Sequence, residues 1–333
     1  MNHETNILVL SCGTRNKIIQ YFKRELKGSG KVIAADCSEL APALYEADKY
    51  YIVPKIDITN YLDVILSICK ENRIKAVFSL IDPELSILAK NKNAFFEIGT
   101  IPIISDYDGV EICFDKYRMY QFLIQNGFKT PKSYIEKDAF YQDLYYGKIQ
   151  FPVILKPVKG SASMNIQKVD TEEELEFIWN RFAHMMIQEY MRGEEIGADV
   201  YVDLISREPV AIFAKKKLKM RAGETDKSIS IKDATLFQII IELVQKLGLI
   251  GVIDIDLFKV NGEYFISEVN PRFGGGYPHA FECGVNIPEM IINNLWGMKN
   301  KNAIGRYAEG IQMLKYSEIK IVKSVNSLKI LKV

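Results

Sequence analysis

The sequence predicts an α/β half built on a parallel sheet, followed by an α+β half with antiparallel sheets. Two observations carry this. In the first third of the chain, short apolar runs alternate with stretches of helical spacing, the signature of strands joined by crossover helices. Beyond Asp115, strand-like runs follow one another through glycine-bearing turns, which pair neighbours antiparallel. No long linker separates the halves, so they are expected to pack tightly. The expected division is a first domain over 1–112, a second over 113–300, and a C-terminal segment, 301–333, lying on the second.

In the first half the strands are "NILVLSC" (6–12), "KVIAAD" (31–36), "YYIVP" (50–54, stopped by Pro54), "KAVFSLID" (75–82) and "IPIIS" (101–105). The helices are "KIIQYFKREL" (17–26), with Ile18, Ile19, Phe22 and Leu26 on one side, "YLDVILSICKEN" (61–72) and "ELSILAKNKNAFFEI" (84–98). The second half opens with a helix in "DKYRMYQFLIQNGFKTPKSY" (115–134), stopped at Gly127. Strands follow within 151–169, 185–203, 209–219 and 250–270, the last folded back on itself at "VNGEY" (260–264). Helices are expected over 171–182 and 235–248.

Composition excludes several classes. Hydrophobic residues make up 48% and charged residues 26% of 333, ordinary for a globular chain able to bury a core. A net charge of +1 gives no field directed at nucleic acid or an anionic membrane. Cys12, Cys37, Cys69, Cys113 and Cys283 are scattered and odd in number, with no C-x-x-C, so neither a disulfide framework nor a zinc site is suggested. The opening residues lack the basic and apolar regions of a signal peptide, and no stretch of about 18 apolar residues occurs. A cytoplasmic location is expected.

The chemistry concentrates in "FISEVNPRFGGGYPHAFECG" (265–284). On a strand, Glu268 and Asn270 point to one face. Asp254 and Asp256, on the preceding strand of the hairpin, do the same, and the turn lays them alongside. Carboxylates plus an amide oxygen are hard donors that suit Mg²⁺, whose other ligands are water and phosphate. A solvated hairpin face is the plain alternative. Arg272 alters the balance, because a guanidinium there can hold a transferring phosphoryl group or a developing oxyanion. Gly274, Gly275 and Gly276 let backbone approach a ligand closely.

Four further elements fit a phosphate-bearing ligand. Lys156 lies within the apolar "VILKP", where an unpaired ammonium is costly, so an anion is expected to meet it. "KGSAS" after it, with Gly160, Ser161 and Ser163, can wrap N–H groups around phosphate, although it is not a P-loop. "IQEYMRGEEIGADV" (187–200) can offer main-chain groups to an adenine edge, and Glu195 can accept from ribose hydroxyls. Lys116 opens a helix after Asp115, and 215–228 is a basic run with a glycine turn that reads either as a solvated face or as a lid. At the carboxyl ends of the parallel strands, where ligands bind such sheets, stand Arg15, Asp36, Asp82 and Glu84. Asp36 reads equally well as a cap or turn residue. The dinucleotide fingerprint G-x-G-x-x-G is absent.

"DK…NGFKTP", "ILKP", "QEYMRGEE" and "EVNPRFGGG", in this order, resemble the ATP-grasp superfamily over residues 115–295, with the closest likeness to the carbamoyl-phosphate synthase large subunit and its small stand-alone relatives. The first half resembles the pre-ATP-grasp domain that precedes it. The resemblance implies that ATP is clamped between two antiparallel sheets, with Lys116 and Lys156 on its phosphates. It implies that Glu189, Tyr190 and Met191 hold adenine and that Glu195 holds ribose. It assigns Asp256, Glu268 and Asn270 to Mg²⁺, with Mn²⁺ as the alternative ion. Arg272 would stabilise the acyl-phosphate transition state, Arg221 would assist from the lid, and Arg15, Asp36, Glu84, Gly274 and Gly275 would meet substrate. The implied activity is an ATP-dependent carboxylate–amine ligase giving ADP and phosphate. The alternatives are a small-molecule kinase or a silent nucleotide-binding module. The implied partners are a small carboxylate and an amine, with no nucleic acid or membrane, and a homodimer is an open alternative. A full carbamoyl-phosphate synthase large subunit carries two such units, and this chain shows one.

Overall fold

The computed structural model describes residues 4–160 and 165–322. Its first half holds β1 (Asn6–Leu10), α1 (Asn16–Leu26), β2 (Val32–Asp36), β3 (Lys49–Ile52), α2 (Tyr61–Glu71), β4 (Ile74–Ser79), α3 (Asp82–Lys90), α4 (Lys92–Glu97) and β5 (Ile101–Pro102). The five strands form a parallel sheet in the order β3-β2-β1-β4-β5. Parallel neighbours need long crossovers, and these helices supply them. All five residues of β1 are buried, as expected of a central strand covered on both faces. The helix expected over 84–98 is two helices meeting at Asn91, whose side-chain amide donates to the Ile87 carbonyl. The fifth strand is two residues rather than five: the Ile103 N–H still donates to the Val77 carbonyl of β4, but the Ile104 N–H turns back onto the Pro102 carbonyl.

α5 (Tyr107–Phe114) and α6 (Lys116–Gln125) lead into the second half. Asp115 caps α6, accepting from the N–H groups of Tyr117 and Arg118 at 3.1 and 3.0 Å. A four-stranded antiparallel sheet follows, made of β6 (Ser133–Tyr134), β7 (Val153–Pro157), β8 (Gln167–Val169) and β9 (Met185–Glu189) in the order β6-β9-β7-β8. α7 (Lys137–Tyr145) and α8 (Glu172–Trp179) flank it. The larger sheet contains β10 (Glu194–Val202), β11 (Pro209–Arg221), β12 (Glu224–Ile231), β13 (Gly251–Val260), β14 (Glu263–Asn270) and β15 (Gln312–Leu314), in the order β14-β13-β10-β11-β12-β15. α9 (Ala234–Lys246) packs on it, and α10 (Tyr277–Glu282) and α11 (Ile287–Leu295) follow β14.

Two tight hairpins matter for the site. β13 and β14 are joined by Asn261 and Gly262, both at positive φ, the geometry that Asn-Gly supplies. The basic run 215–228 is the β11–β12 hairpin, closed by Ala222 and Gly223, also both at positive φ. The halves interlock through aromatic side chains. Phe273, next to Arg272, meets Phe22 of α1 edge-on at 6.1 Å and Phe78 of β4 at 5.6 Å.

Candidate active site

The strand register builds the centre of the site. Asp254 faces Asn270 and Asp256 faces Glu268 across the β13–β14 pair, and a register shift between Asp256 and Leu257 is what brings all four onto one face. They line a cleft together with Lys116, Lys156 and Gly160 from around the smaller sheet, Arg272 and Gly275 from the loop after β14, and Arg15 and Asp82 from the first half. The hairpin tip closes one side with Met220, Ala222, Gly223 and Glu224. A second cavity, sharing Met220, Gly223 and Asp256, adds Glu195 and Lys217.

Charge pairing orders the cleft. Arg272 donates to Asp82 Oδ2 at 3.0 Å, to Asp254 Oδ2 at 3.4 Å and to the Phe273 carbonyl at 3.2 Å. Burial opposes its charge, but Asp82 and Asp254 outweigh burial and hold the guanidinium above its ordinary pKa. Burial, then the neighbouring Asp256, pushes the Asp254 carboxyl up. The Lys116 side chain is largely buried. Its Nζ donates to the Gly160 carbonyl at 2.6 Å and lies 3.4 Å from Glu268 Oε1. Lys156 is 5% exposed, and burial lowers its pKa to about 8 against the pull of Glu268. Arg15 pairs with Glu224 at 3.0 Å, and Lys315 reaches the same carboxylate at 2.7 Å.

The glycine run has a specific reason. A Cβ on Gly274 would lie 2.3 Å from Asp254 Oδ1, one on Gly275 2.8 Å from the Glu224 carboxyl carbon, and one on Gly276 2.8 Å from Lys215 Cε. The loop is pressed against three charged side chains, so the need is for space rather than for flexibility.

Arg221 requires a correction. The strand is out of register between Lys217 and Lys219 and again between Lys219 and Met220, and such irregularities reverse which residues face the site. Lys217 therefore faces inward, Met220 and Ala222 line the cleft, and Arg221 is exposed to solvent. Asp36 and Glu84 do not line the cleft either. Asp36 accepts from the N–H groups of Gly13 and Ser38, the turn role. Glu84 is fully buried, bonded by Tyr61 and Ser79, and burial pushes its carboxyl up to about 8. Glu189, Tyr190 and Met191 lie at the end of β9, outside both cavities. The Glu189 N–H is already given to the Lys132 carbonyl. Ser161 and Ser163 lie outside the described residues.

Lys217 was missed by sequence reasoning. Its Nζ lies 2.5 Å from Asp256 Oδ1, and although burial opposes its charge, Asp256 and Asp254 raise its pKa. Lys215 pairs with buried Asp199. Gly197 on β10 leaves room for both stems, since a Cβ there would meet Lys217 Cε at 3.0 Å and Lys215 Cε at 3.3 Å. The available signal was the basic run 215–217 directly after the apolar "PVAIFA", whose first and third lysines share one strand face. Among the described residues, no group of three or more His, Cys, Asp or Glu side chains is placed to hold a metal ion. A cation here would rest on Asp256, Glu268 and the Asn270 amide, a donor set whose chemistry fits Mg²⁺.

The cleft between the two antiparallel sheets, lined by lysines and by a carboxylate pair, lies in an ATP-grasp domain. Residues 113–276 match the ATP-grasp domain model, and residues 7–104 match that of the PylC-like N-terminal domain. The curated relatives that the chain matches include a carbamoyl-phosphate synthase and a D-alanine–D-alanine ligase. It is 26% identical over 290 residues to carbamoyl-phosphate synthase of Methanobrevibacter smithii, covering 83% of this chain and 76% of that protein. It is 24% identical over 308 residues to D-alanine–D-alanine ligase of Sulfurimonas denitrificans, covering 84% and 86%. N5-carboxyaminoimidazole synthetase of Staphylococcus aureus, solved with ADP, superposes with a TM-score of 0.71 at 16% identity over 90% of this chain and 79% of that one. The chain spans only about a quarter (27% and 26%) of two larger carbamoyl phosphate synthase large chains that it also matches. Among the described residues, no helix is long and apolar enough to cross a membrane.

Proposed function

We propose that the protein activates a small carboxylate with ATP and joins it to an amine. The γ-phosphoryl group passes to a carboxylate oxygen, giving an acyl phosphate and ADP. The amine nitrogen then attacks the acyl carbon, the bond to the phosphate oxygen breaks with its electron pair leaving on phosphate, and the amine loses a proton. The observation that carries this reading is the convergence of Asp256, Glu268, Arg272, Lys116 and Lys156 on one cleft. Phosphoryl transfer of this kind needs positioning and charge neutralisation more than covalent help.

In this reading Lys116 and Lys156 bind the phosphates, and Lys217 is a third cation beside them. Arg272 faces the oxygens where charge builds in the transition state. Asp256, Glu268 and Asn270 hold Mg²⁺, which neutralises phosphate charge when bound. Glu189 pairs with Val153, three residues along β7 from Lys156, or about 10 Å at strand spacing. That separation suits adenine held by Glu189, Tyr190 and Met191 while the phosphates lie at Lys156, with Glu195 towards the ribose. In this reading residues 1–112 form the first domain, 113–300 the nucleotide-binding domain, and 301–333 a segment lying on it.

The test replaces the amine with hydroxylamine. With an accepted acid and Mg·ATP, ADP and an equal amount of hydroxamate are expected. AMP and pyrophosphate would overturn the mechanism. ADP with a stable phosphorylated product, and no phosphate released by any amine, would make the protein a kinase.

A further inference from the structure

The β11–β12 hairpin reaches past the sheet that carries it. β10 pairs with β11 only as far as Lys216, and β15 pairs with β12 only from Lys227 to Ile229. Among the described residues, the stretch 217–225 has no strand beside it other than its own hairpin partner. Residues 218–223 are exposed. A two-stranded ribbon left to itself is marginal in water. Yet the tip lies at the cleft, with Met220, Ala222 and Gly223 in its lining. Lys217, on Asp256, anchors the base of the ribbon, so the tip needs a tie of its own.

Glu224, the first residue of β12, supplies that tie and is held from two sides. Its Oε1 takes Arg15 of the first half at 3.0 Å, and its Oε2 takes Lys315, the residue after β15, at 2.7 Å. The Lys315 N–H donates to the Asp226 carbonyl at 3.0 Å, and Lys227 donates to the Lys315 carbonyl. Further along, Lys320 reaches Glu46 of the first half at 2.8 Å, a carboxylate that also accepts from Gln20 of α1. Residues 312–320 thus run as a strap from the edge of the larger sheet, past the hairpin, to the first half. The Arg15, Glu224 and Lys315 side chains remain 22%, 29% and 33% exposed. Ion pairs in such half-open surroundings are individually weak, so they hold the hairpin and still let it go.

We propose that this strap is a latch: Lys315, together with Arg15, clamps Glu224 and keeps the β11–β12 hairpin closed over the cleft, and release of Glu224 opens the cleft to a nucleoside triphosphate. Because both pairs share one carboxylate, opening breaks them together. The latch goes beyond the ligase reading and takes from it only that ATP binds in the cleft.

Limited trypsin digestion of the full chain without ligand, with fragments identified by mass spectrometry, reads the opening directly. Lys219 and Arg221 lie in the hairpin, and cleavage there tracks the open population. Cleavage after these residues should rise about two- to fivefold in Lys315→Met and about three- to twentyfold in Glu224→Gln, which loses both pairs. The double variant should match Glu224→Gln, since no partner is left for the second change to remove. Raising NaCl from about 0.05 to about 0.5 M should speed cleavage of the unaltered protein and not of Glu224→Gln. In stopped flow with a fluorescent non-hydrolysable ATP analogue and Mg²⁺, association and dissociation should both be faster in Lys315→Met, with Kd changed less than either rate. Unchanged hairpin cleavage in the single variants, additive effects in the double variant, or a Kd change carried by dissociation alone would overturn the latch. None of these readings uses turnover, so the ligase reading stands or falls separately, on the hydroxamate. An analogue that does not bind at all would overturn both.

Discussion

Lys156 shows how much one side chain can owe to its surroundings. Burial lowers its pKa to about 8, with Glu268 pulling the other way, so it is charged at neutral pH and loses its proton just above. A phosphate bound at Lys156 requires the charged form. The affinity for a non-hydrolysable ATP analogue should therefore fall as pH rises through about 8. Lys156→Met keeps the apolar stem and should weaken binding roughly ten- to a hundredfold at pH 7 while flattening that profile. Calorimetric titration from pH 6.5 to 9.5 reads both, and an unaltered affinity at pH 7 would make Lys156 a structural residue. Glu268→Gln removes a ligand charge at nearly constant shape. Turnover should drop by about two orders of magnitude or more while urea-unfolding stability changes by about 1 kcal/mol or less. Near-normal turnover at saturating Mg²⁺ would exclude Glu268 as a metal ligand.

At the scale of elements, the two glycine turns of the β13–β14 region obey different rules. Gly262 sits at φ +85° with open space around it, so its requirement is conformational. Gly262→Ala should cost about 1 kcal/mol and leave activity intact. Gly274 has no positive φ, but its Cβ position is filled by the Asp254 carboxylate. Gly274→Ala must displace Asp254, and with it the partner of Arg272. A stability loss of about 1–3 kcal/mol should come with a fall in kcat. Denaturant unfolding and steady-state kinetics on the two variants check this, and loss of activity in Gly262→Ala alone would refute it. The β11–β12 hairpin shows the opposite case, in which register shifts between Lys217 and Met220 turned Arg221 out to solvent.

Across the whole molecule, His279 ties α10 to β12 and to the C-terminal stretch. Its Nε2 lies 3.1 Å from the Ile311 carbonyl, which can only accept, so Nε2 carries the proton and Nδ1 accepts from the Ser228 hydroxyl at 2.8 Å. Burial, then the charge of Lys215, lowers its pKa to about 4, so the native ring stays neutral. Between about pH 6.5 and 4 the unfolded chain binds a proton at this site that the native chain does not, so stability falls with falling pH. The contribution is full above about 6.5 and amounts to roughly 3 kcal/mol at most. His279→Gln should be less stable at pH 7, because it loses the imidazole bonds, yet show a shallower decline between pH 6.5 and 4. An identical slope in urea titrations of the two proteins would dismiss His279 as the cause.

The sequence by itself determined the classes of the two halves and the central metal-strand candidates. The halves follow from local periodicity, apolar runs alternating with helical spacing giving the parallel sheet, and Asn-Gly at 261–262 made the hairpin; but that turn alone would set Asp256 opposite Ser267, and a register shift between Asp256 and Leu257 is what puts it opposite Glu268. Alternation then placed Asn270 on the same face without reference to the rest of the chain. Only the tertiary structure decided which distant charges meet there. Arg15 and Asp82 come from the far half of the chain, brought in by the packing of Phe273 against Phe22 and Phe78, and no local pattern encodes that approach. Register shifts decided between Lys217 and Arg221, since irregular pairing depends on the neighbouring strands and not on the alternation of one. Burial decided that Glu84 stays inside the first half while Asp82, two residues earlier, faces the cleft.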